Sequence, residues 1–487
     1  MSYRRIFSLV GWLGLIFSSL MAMVFFFSLL TELRDSPYVP FKWFLCVMCS
    51  LAFSFLLTLP GGKCRSTTLF SREAVAVAGL GWIFCTLCGT LPLMGLGGLN
   101  FFEAFFEVVS AMTTTGATVF CDVEKLPPSL NVWRSVMQWV GGLGVVLLFV
   151  AVLGSGGRRL VHNETCRVSS NSLQPQIRKV ALAYTGIYLG ISLFCFLGYV
   201  FLGMDIFNAV CFAMTTCSTG GMAPVNNFLG VFKSAPLQIW CIFFMLLSSI
   251  AFTLHYQLWI FRRWDVVRRD QELFVYLIVL LVATVLISVN LIFEDNFQRN
   301  SQDVLAAAFQ VVSIVTTTGY GSADFAKWPD FSQLILLVLM IIGGCAGSTA
   351  GGLKISRIII FGKAITNWLM SSFSPRSIRL VSYGKSSVPD HIVTSVVAYV
   401  GLYFSICVLG VVVLALVEAD RDIVTLVSAV LSAFNNIGPA LGELGPMSNY
   451  SQLNWAALLW LSVLMLMGRL EIIVLLALFV PSFWKKF

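Results

Sequence analysis

The stretch Val-Val-Ser-Ile-Val-Thr-Thr-Thr-Gly-Tyr-Gly at residues 311–321 joins a short apolar segment to a polar turn that contains glycine. Three other stretches have the same form, at residues 101–118, 205–221 and 427–439. Each apolar segment is too short to cross a bilayer, which takes about 20 residues in a helix. The four stretches therefore predict half-helices that enter the membrane and return through a turn.

The glycines of these turns recur at a regular interval. Taken as equivalent, Gly116, Gly220, Gly319 and Gly438 are separated by 104, 99 and 119 residues. A period of this size marks an internal repeat. Each predicted unit consists of a span, a half-helix, a glycine turn and a second span.

The composition is that of a membrane protein. The 487-residue chain is 58% apolar and 11% charged, and its mean hydropathy is +0.88. Soluble proteins carry about 45–50% apolar and about 25% charged residues, so a soluble enzyme, a disordered regulator and a nucleic-acid binder are excluded. Ten apolar runs predict membrane spans: 6–30, 41–60, 74–96, 131–153, 180–203, 236–261, 273–293, 332–361, 392–417 and 453–481.

The distribution of charge predicts the orientation of these spans. Most of the 31 basic residues, among them Arg4, Arg158, Arg262 and Lys363, lie in segments on one side of the ten spans. Most of the 23 acidic residues lie on the other side. Because cytoplasmic loops carry the excess of Lys and Arg, both termini are expected to be cytoplasmic.

The predicted fold is an all-α membrane protein, with four concatenated span–half-helix–span repeats around a central pore. An N-terminal extension of two spans, residues 1–66, precedes the repeats. The repeats are expected at 67–170, 171–268, 269–385 and 386–487, and the second span of the third repeat is broken.

The glycine turns have the chemistry of a cation site. Irregular backbone at membrane depth must be buried in protein or line a watery cavity, and four copies around one axis create such a cavity. Half-helix C-termini carry partial negative charge, and rings of carbonyl oxygens replace the hydration shell of a hard cation. The alternative is a set of polar loops capped by interfacial helices. The predicted ion-lining residues are Thr114, Thr115, Gly116, Ser218, Thr219, Gly220, Thr317, Thr318, Gly319, Asn436, Ile437 and Gly438.

A flexible obstruction is predicted in the run 332–361, where Gly-Gly-Cys-Ala-Gly-Ser-Thr-Ala-Gly-Gly (343–352) disfavours a helix. This segment follows the turn of the third repeat and is expected to lie under it as a gate. The alternatives are a close-packing kink and a phosphate-binding loop, although Ile355 stands where the latter needs Ser or Thr. The predicted gate residues are Gly343, Gly344, Cys345, Ala346, Gly347, Ser348, Thr349, Ala350, Gly351, Gly352, Lys354 and Arg469.

Arg469 is the basic residue deep in the last run, 453–481, which is expected to be one uninterrupted span. A charge at that depth costs at least about 2.5–3.5 kcal/mol, so it must face protein or water. We expect an electrostatic barrier beside the pore. The alternative is an ion pair that locks the helix, but Glu471 is a poor partner because residues two apart do not share a helix face.

Thr-Thr-Thr-Gly-Tyr-Gly (316–321) resembles the potassium-channel filter, and the set of turns resembles the Trk/Ktr/HKT superfamily of potassium transporters. Ile-Gly-Gly-Cys-Ala-Gly-Ser-Thr-Ala-Gly-Gly-Leu-Lys (342–354) and Met-Gly-Arg-Leu-Glu (467–471) strengthen the match, and the two extra N-terminal spans are similar to the TrkH branch. The resemblance implies a pseudo-tetrameric pore in one chain, a homodimer, selectivity for potassium, and 343–352 as a gating loop. It also implies a cytosolic ring of nucleotide-binding, TrkA-like regulatory subunits.

The fourth turn departs from the threonine pattern, because Asn435, Asn436 and Ile437 precede Gly438. The filter is therefore not expected to be fourfold in chemistry. Turns without the Gly-Tyr-Gly pattern offer fewer stacked carbonyl sites than a potassium channel, so we expect looser discrimination between cations. The basic inner face offers contacts to anionic membrane lipids.

The predicted function is potassium uptake across the bacterial inner membrane, with K+ as the transported ion and no cofactor bound by this chain. The alternative is a proton- or sodium-coupled symporter, for which Glu471 is the sole deep carboxylate. An enzyme is not predicted, because no cluster of His, Asp, Ser and Cys converges at membrane depth.

Overall fold

The computed structural model describes residues 3–59, 71–155, 173–226, 234–293, 301–374, 380–384 and 386–484. The regular secondary structure within these residues is helical apart from one small hairpin, in which β1 (Ser382–Tyr383) pairs antiparallel with β2 (Ser386–Ser387). The helices, which include two 3-10 turns, are joined by irregular segments. The predicted all-α fold is confirmed. The predicted repeat boundaries at residues 66, 170 and 385, and Arg158, lie outside the described residues.

Seven helices of the described chain are long and apolar enough to cross a membrane. The first two, α1 (Tyr3–Thr31) and α2 (Tyr38–Thr58), pack against each other. The others are α3 (Ser71–Gly97), α5 (Pro128–Ser155), α6 (Leu173–Phe201), α11 (Gln271–Phe293) and α15 (Asp390–Val417).

Four short apolar helices occupy the positions predicted for the half-helices. They are α4 (Phe101–Met112), α7 (Ile206–Cys217), α12 (Ser301–Val315) and α16 (Ile423–Asn435). Side-chain oxygens cap three of their N-termini: Asn100 accepts from the Glu103 N–H at 3.0 Å, Asp205 from Phe207 at 3.0 Å, and Asp422 from Val424 at 3.2 Å. Because these oxygens satisfy N–H groups left free at the start of a helix, each half-helix begins at a defined residue.

Three of the predicted spans are broken. The run 332–361 divides into α13 (Asp330–Leu339) and α14 (Ile355–Phe373), as predicted. The expectation of continuous spans at 236–261 and 453–481 is wrong. The first bends by 97° between α8 (Ala235–Ser249) and α9 (Phe252–Trp259), and the second bends by 115° between α17 (Trp455–Arg469) and α18 (Ile472–Phe479). The short helices α10 (Trp264–Arg268) and α19 (Pro481–Trp484) complete the described fold.

The half-helices and the turns that follow them form the interior of the chain. The side chains of Thr114, Thr219, Thr317 and Asn436 are fully buried, although all four are polar. Interfacial loops, the alternative considered above, would be exposed. Buried polar groups need partners, and those partners organise the site described below.

Glycines let two spans approach the ends of half-helices closely. A Cβ atom at Gly141 on α5 would collide with the carbonyl oxygen of Met112, the last residue of α4. A Cβ atom at Gly468 on α17 would collide with the carbonyl oxygen of Phe434 in α16. The backbone of each span therefore packs directly on the backbone that precedes a turn.

This packing predicts the effect of a single methyl group. Gly141→Ala should lower the free energy of unfolding by about 1–3 kcal/mol, because the helices must separate. Gly190→Ala, in the neighbouring span α6, meets no atom within 4 Å and is the matched control. Thermal unfolding of the purified variants in detergent measures both. Equal melting temperatures for the two variants would contradict the packing argument.

Candidate functional site

The four turns share one backbone conformation. In each turn, the N–H of one residue donates to the carbonyl five residues earlier in the half-helix. The pairs are Thr115 to Ser110 (2.8 Å), Gly220 to Thr215 (2.8 Å), Thr318 to Ser313 (2.8 Å) and Ile437 to Ser432 (2.9 Å). The residue before each donor has a left-handed backbone, with φ of 54° at Thr114, 54° at Thr219, 57° at Thr317 and 56° at Asn436. The four turns are therefore equivalent in backbone conformation.

The second turn is shifted by one residue from the predicted correspondence. The glycine that follows each donor has positive φ: 91° at Gly116, 76° at Gly221, 79° at Gly319 and 108° at Gly438. Gly221, rather than Gly220, is thus the equivalent of the other glycines, and Ser218 stands one position too early. Gly220 occupies the place of Thr115.

The reason for two consecutive glycines is steric. A side chain at Gly220 would collide with the side chain of Gln138 on α5. Gln138 instead donates to the Gly220 carbonyl at 2.5 Å and accepts from the Met222 N–H at 3.1 Å. Sequence reasoning missed Gln138, since a single polar residue in an apolar span carries no indication of its partner.

The four turns contact one another in a closed cycle. A Cβ atom at Gly116 would collide with the carbonyl oxygen of Gly220, and one at Gly221 with that of Thr318. A Cβ atom at Gly319 would collide with the carbonyl oxygen of Ile437. A Cβ atom at Gly438 would lie against the carbonyl oxygen of Thr115, which returns to the first turn. We call the carbonyl groups of Thr115, Gly220, Thr318 and Ile437 the carbonyl ring.

Side chains behind the turns hold the carbonyl ring in place. Ser110 donates to the Ala117 carbonyl at 2.6 Å, and Ser313 donates to the Tyr320 carbonyl at 2.8 Å. The Tyr320 hydroxyl lies 2.5 Å from the hydroxyl of Thr215 in α7, the half-helix of the second repeat. Tyr320 is fully buried, so it joins the second and third repeats inside the core.

The segment that follows the first turn is fixed to the second repeat. Asn226 accepts from the Val123 N–H at 2.7 Å and donates to Asp122 at 2.7 Å. Lys125 lies 2.8 Å from the Asp122 carboxylate, and its hydrogen bond is the main reason that the pKa of Asp122 falls to about 2. Asp122 thus forms an ion pair with Lys125 and a hydrogen bond with Asn226, which together join the first repeat to the second.

The four residues with left-handed backbone, each of which directly precedes a residue of the carbonyl ring, differ in their side-chain contacts. The Thr317 hydroxyl accepts from the Gly351 N–H at 2.7 Å, and the Thr219 hydroxyl lies 3.3 Å from that of Thr349. The Thr114 hydroxyl and the Asn436 side-chain oxygen are buried without a partner in the described chain. Two of the four equivalent side chains, those of Thr219 and Thr317, thus form hydrogen bonds with residues 343–352, which we call the glycine loop. Asn436 packs against the loop at Gly351 without such a bond.

The glycine loop connects α13 to α14 and is closed on itself. The Gly343 N–H donates to the Leu353 carbonyl at 3.0 Å, and the Leu353 N–H donates to the Ile341 carbonyl at 3.3 Å. Gly347 and Gly352 have φ of 73° and 71°, which favours glycine at both positions. Except for Ala346 and Gly352, every residue of the loop is buried, whereas the adjoining Lys354 is half-buried and its ammonium group donates to the Ala350 carbonyl.

The three broken spans meet at the glycine loop. At the break after α8, the Cys345 N–H donates to the Ser249 carbonyl at 3.1 Å, and the Thr349 hydroxyl donates to the Ser248 carbonyl at 3.0 Å. The Phe252 N–H at the start of α9 donates to the Gly347 carbonyl at 3.0 Å. These bonds satisfy backbone groups that the break removes from the helix, which irregular backbone at this depth requires.

Arg469 differs from its predicted position because it is the last residue of α17 rather than a residue within a continuous span. It is buried, and its Nη1 donates to the Thr349 carbonyl at 2.6 Å. Its Nε and Nη2 have no hydrogen-bond partner in the described chain. Glu471, with a left-handed φ of 67°, lies 2.5 Å from Arg357 instead. The disfavoured pair between Arg469 and Glu471 is thus not formed.

Glu272 on α11 was not identified from the sequence. Its carboxylate is buried and accepts from the Ala346 N–H at 2.8 Å and from the Ser356 N–H at 3.0 Å. The Tyr383 hydroxyl of β1 donates to the same carboxylate at 3.3 Å. One side chain therefore connects the glycine loop, α14 and the small hairpin. The feature of the sequence that could have identified Glu272 is its position as an acidic residue among the first residues of a span.

The described residues contain no group of three or more His, Cys, Asp or Glu side chains placed to hold a metal ion. The chemistry of the site is that of carbonyl, hydroxyl and amide oxygens. Such oxygens suit a hard cation that binds reversibly, rather than a transition metal held by thiolate or imidazole.

Comparisons with known proteins agree with this architecture. Residues 44–486 match the TrkH family model, whose description is cation transport protein. The chain is 36% identical to the Trk system potassium uptake protein TrkH of Halomonas elongata and 32% identical to that of Escherichia coli, and both alignments cover 100% of each chain. The crystal structure of the potassium transporter TrkH from Vibrio parahaemolyticus matches with a TM-score of 0.89 and 30% identity, again over 100% of both chains.

The resemblance to the TrkH branch inferred from the sequence is confirmed. The family consists of transporters rather than enzymes. With its apolar helices, the chain is an integral inner-membrane protein. It belongs to the TrkH family of cation transport proteins.

Proposed function

We propose that this chain conducts K+ into the cell through the carbonyl ring. The closed cycle of contacts between four glycines and four carbonyl groups is the observation that carries the proposal. Its relatives are named as potassium uptake proteins. Uptake of Rb+ by the purified protein in liposomes, inhibited by K+ more strongly than by Na+, is the direct test. Absence of uptake would contradict the proposal.

The chemistry of the ring favours a weakly hydrated monovalent cation. Carbonyl oxygens from four turns can replace the water around such an ion, while neutral ligands hold it loosely enough for release. The C-terminal ends of α4, α7, α12 and α16 lead into the turns, and their dipoles add partial negative charge there. The Ile437 side chain does not weaken the ring, because this residue contributes its backbone carbonyl.

We propose further that the glycine loop is the gate. It bonds to Thr219 and Thr317 directly under the carbonyl ring, where a buried segment obstructs the passage of an ion. Arg469 adds a buried positive charge at the Thr349 carbonyl, and such a charge repels cations. Opening the path requires the loop to leave both threonines.

The proposed setting follows the family. The termini face the cytoplasm, two copies of the chain associate in the membrane, and a cytosolic TrkA-like ring that binds nucleotides acts on the loop from below. Anionic lipids contact the basic inner face. Coupled symport with protons or sodium is not favoured by any contact of Glu471, since its carboxylate pairs with Arg357.

A side chain at Gly319 tests the filter. Gly319→Ser should weaken the preference for K+ over Na+, because its Cβ atom collides with the Ile437 carbonyl and φ of 79° disfavours a side chain. Gly321→Ser is the control, since the nearest atom to its Cβ is Pro446 Cβ at 3.5 Å. Competition of Na+ with Rb+ uptake measures the preference. An unchanged preference in Gly319→Ser would argue against the ring as the filter.

Variants of two threonines at equivalent positions test the contact with the glycine loop separately from the carbonyl ring. Thr317→Val removes the acceptor of the Gly351 N–H and should raise basal Rb+ flux by about tenfold, since a lost buried bond costs about 1–3 kcal/mol. Thr114→Val removes the equivalent hydroxyl, which does not bond to the loop, and should not raise flux. Flux into liposomes without any cytosolic partner distinguishes them. The same increase in both variants would contradict gating through Thr317.

The charge of Arg469 gives a separate test of the gate. Arg469→Ala should raise Rb+ flux because it removes both the buried charge and the bond to the Thr349 carbonyl. Arg469→Lys keeps the charge and should stay close to the wild-type flux. If both variants conduct like the wild type, Arg469 only packs the interior.

A further inference from the structure

In each turn, the residue three positions after the glycine leads the chain away from the carbonyl ring. A backbone N–H enclosed by protein at this position needs an acceptor. In three repeats a half-helix side chain accepts it. The pairs are Glu107 with Val119 at 2.9 Å, Ser428 with Leu441 at 2.9 Å, and Gln310 with Ser322 at 2.7 Å when the amide oxygen of Gln310 faces the turn.

The second turn, which has no such acceptor, follows the same rule. The equivalent residue there is Pro224, which has no N–H to satisfy. The half-helix position that holds Glu107 in the first repeat and Gln310 in the third is Phe212 in the second. In the fourth repeat that position is Ala429, and the acceptor Ser428 lies one residue earlier. An acceptor is therefore present where an N–H is present and absent where it is not. The acceptors thus position the backbone just outside the carbonyl ring.

The first repeat adds an ion pair to this arrangement. Glu107 is completely buried and Arg134 on α5 is 2% exposed. Both Nε and Nη2 of Arg134 lie 2.8 Å from Glu107 Oε1. The N–H of Val119 alone does not require a charge, since a neutral glutamine accepts the equivalent N–H in the third repeat. Burying two charges is expensive, so the pair needs a second role.

That role is visible in the contacts of Arg134. Its Nη2 donates to the Thr118 hydroxyl at 3.2 Å, in the first turn. Its Nη1 donates both to Asn131 Oδ1 on α5 at 3.2 Å and to the Ala223 carbonyl at 3.4 Å, in the second turn. The Thr118 hydroxyl in turn donates to Glu107 at 3.0 Å. A guanidinium group suits this position because its five donors have fixed directions. One buried side chain therefore sets the distance between two adjacent turns.

We infer that Glu107 and Arg134 are positioning residues that determine cation selectivity, by holding the first and second turns at the separation that suits K+. This inference rests on the proposed conduction through the carbonyl ring. The two residues do not touch the ion. They act through Thr118, Val119 and Ala223, which lie within three residues of the ring glycines Gly116 and Gly221.

The main test is the double substitution Glu107→Gln with Arg134→Gln. It leaves no unpaired buried charge, and the amide oxygen at position 107 still accepts the Val119 N–H. The bridge to Ala223 is lost. We expect Na+ to compete with Rb+ uptake about tenfold better than in the wild type, which corresponds to one charged hydrogen bond. Uptake into liposomes at several Na+ concentrations gives the ratio.

Thr118→Val is the second variant and keeps the ion pair intact. It removes the hydroxyl that joins Glu107 and Arg134 to the first turn, and a shift of about threefold in the same direction is expected. If the double variant does not fold, Thr118→Val alone decides the question. A folded variant of either kind with the wild-type ratio overturns the inference.

Glu32→Gln is the matched control. Glu32 is also a buried carboxylate, but it accepts from the Ser129 N–H at 2.8 Å and the Ser28 hydroxyl at 2.6 Å, away from the turns. It should lower the melting temperature without changing the Na+ to Rb+ ratio. A ratio change as large as that of the double variant would mean that any core defect alters selectivity. Absence of wild-type uptake would instead contradict the proposed function.

Discussion

Contact between backbone and backbone around the carbonyl ring is the constraint on which the rest of the structure depends. Each turn brings a glycine against the carbonyl group of the next turn, and the fourth turn closes on the first. The four half-helices are therefore positioned jointly, since displacement of one turn opens two contacts. Residues 115, 318 and 437 contribute backbone carbonyl groups, so their side chains can differ as Thr, Thr and Ile. Gly220 also contributes its carbonyl, but the side chain of Gln138 leaves no room for a Cβ atom there. The glycines have no such freedom.

Irregular backbone at this depth must be paired, and the glycine loop satisfies much of that need. The breaks after Ser249 and Arg469 present backbone and side-chain groups that the loop binds, at Cys345 and Thr349. The breaks after Ser249 and Arg469 therefore both depend on the glycine loop: without it, each would leave polar groups unpaired in an apolar surrounding. The second, third and fourth repeats thus each contain a broken span that contacts or includes the glycine loop, while α5 of the first repeat remains continuous.

The repeat, the half-helices and the break at 343–352 were predictable because glycine and threonine recur at fixed intervals and because length separates a span from a half-helix. The exact register of the second turn was not predictable. Gly220 and Gly221 are adjacent, and only the side chain of Gln138, 82 residues away along the chain, decides which one takes the left-handed position. The bends at Ser249 and Arg469 were missed for the same reason, since their partners lie in another repeat. Glu107 and Arg134 have no local pattern that joins them.

Glu272 connects the small hairpin of β1 and β2 directly to the glycine loop. Its single carboxylate bonds to the loop at Ala346, to the start of α14 at Ser356, and to Tyr383 in β1. A displacement of Tyr383 that keeps its bond to this carboxylate would also displace the acceptor of the Ala346 and Ser356 amides. If the glycine loop is the gate, as proposed above, the hairpin is therefore coupled to it through one acidic side chain.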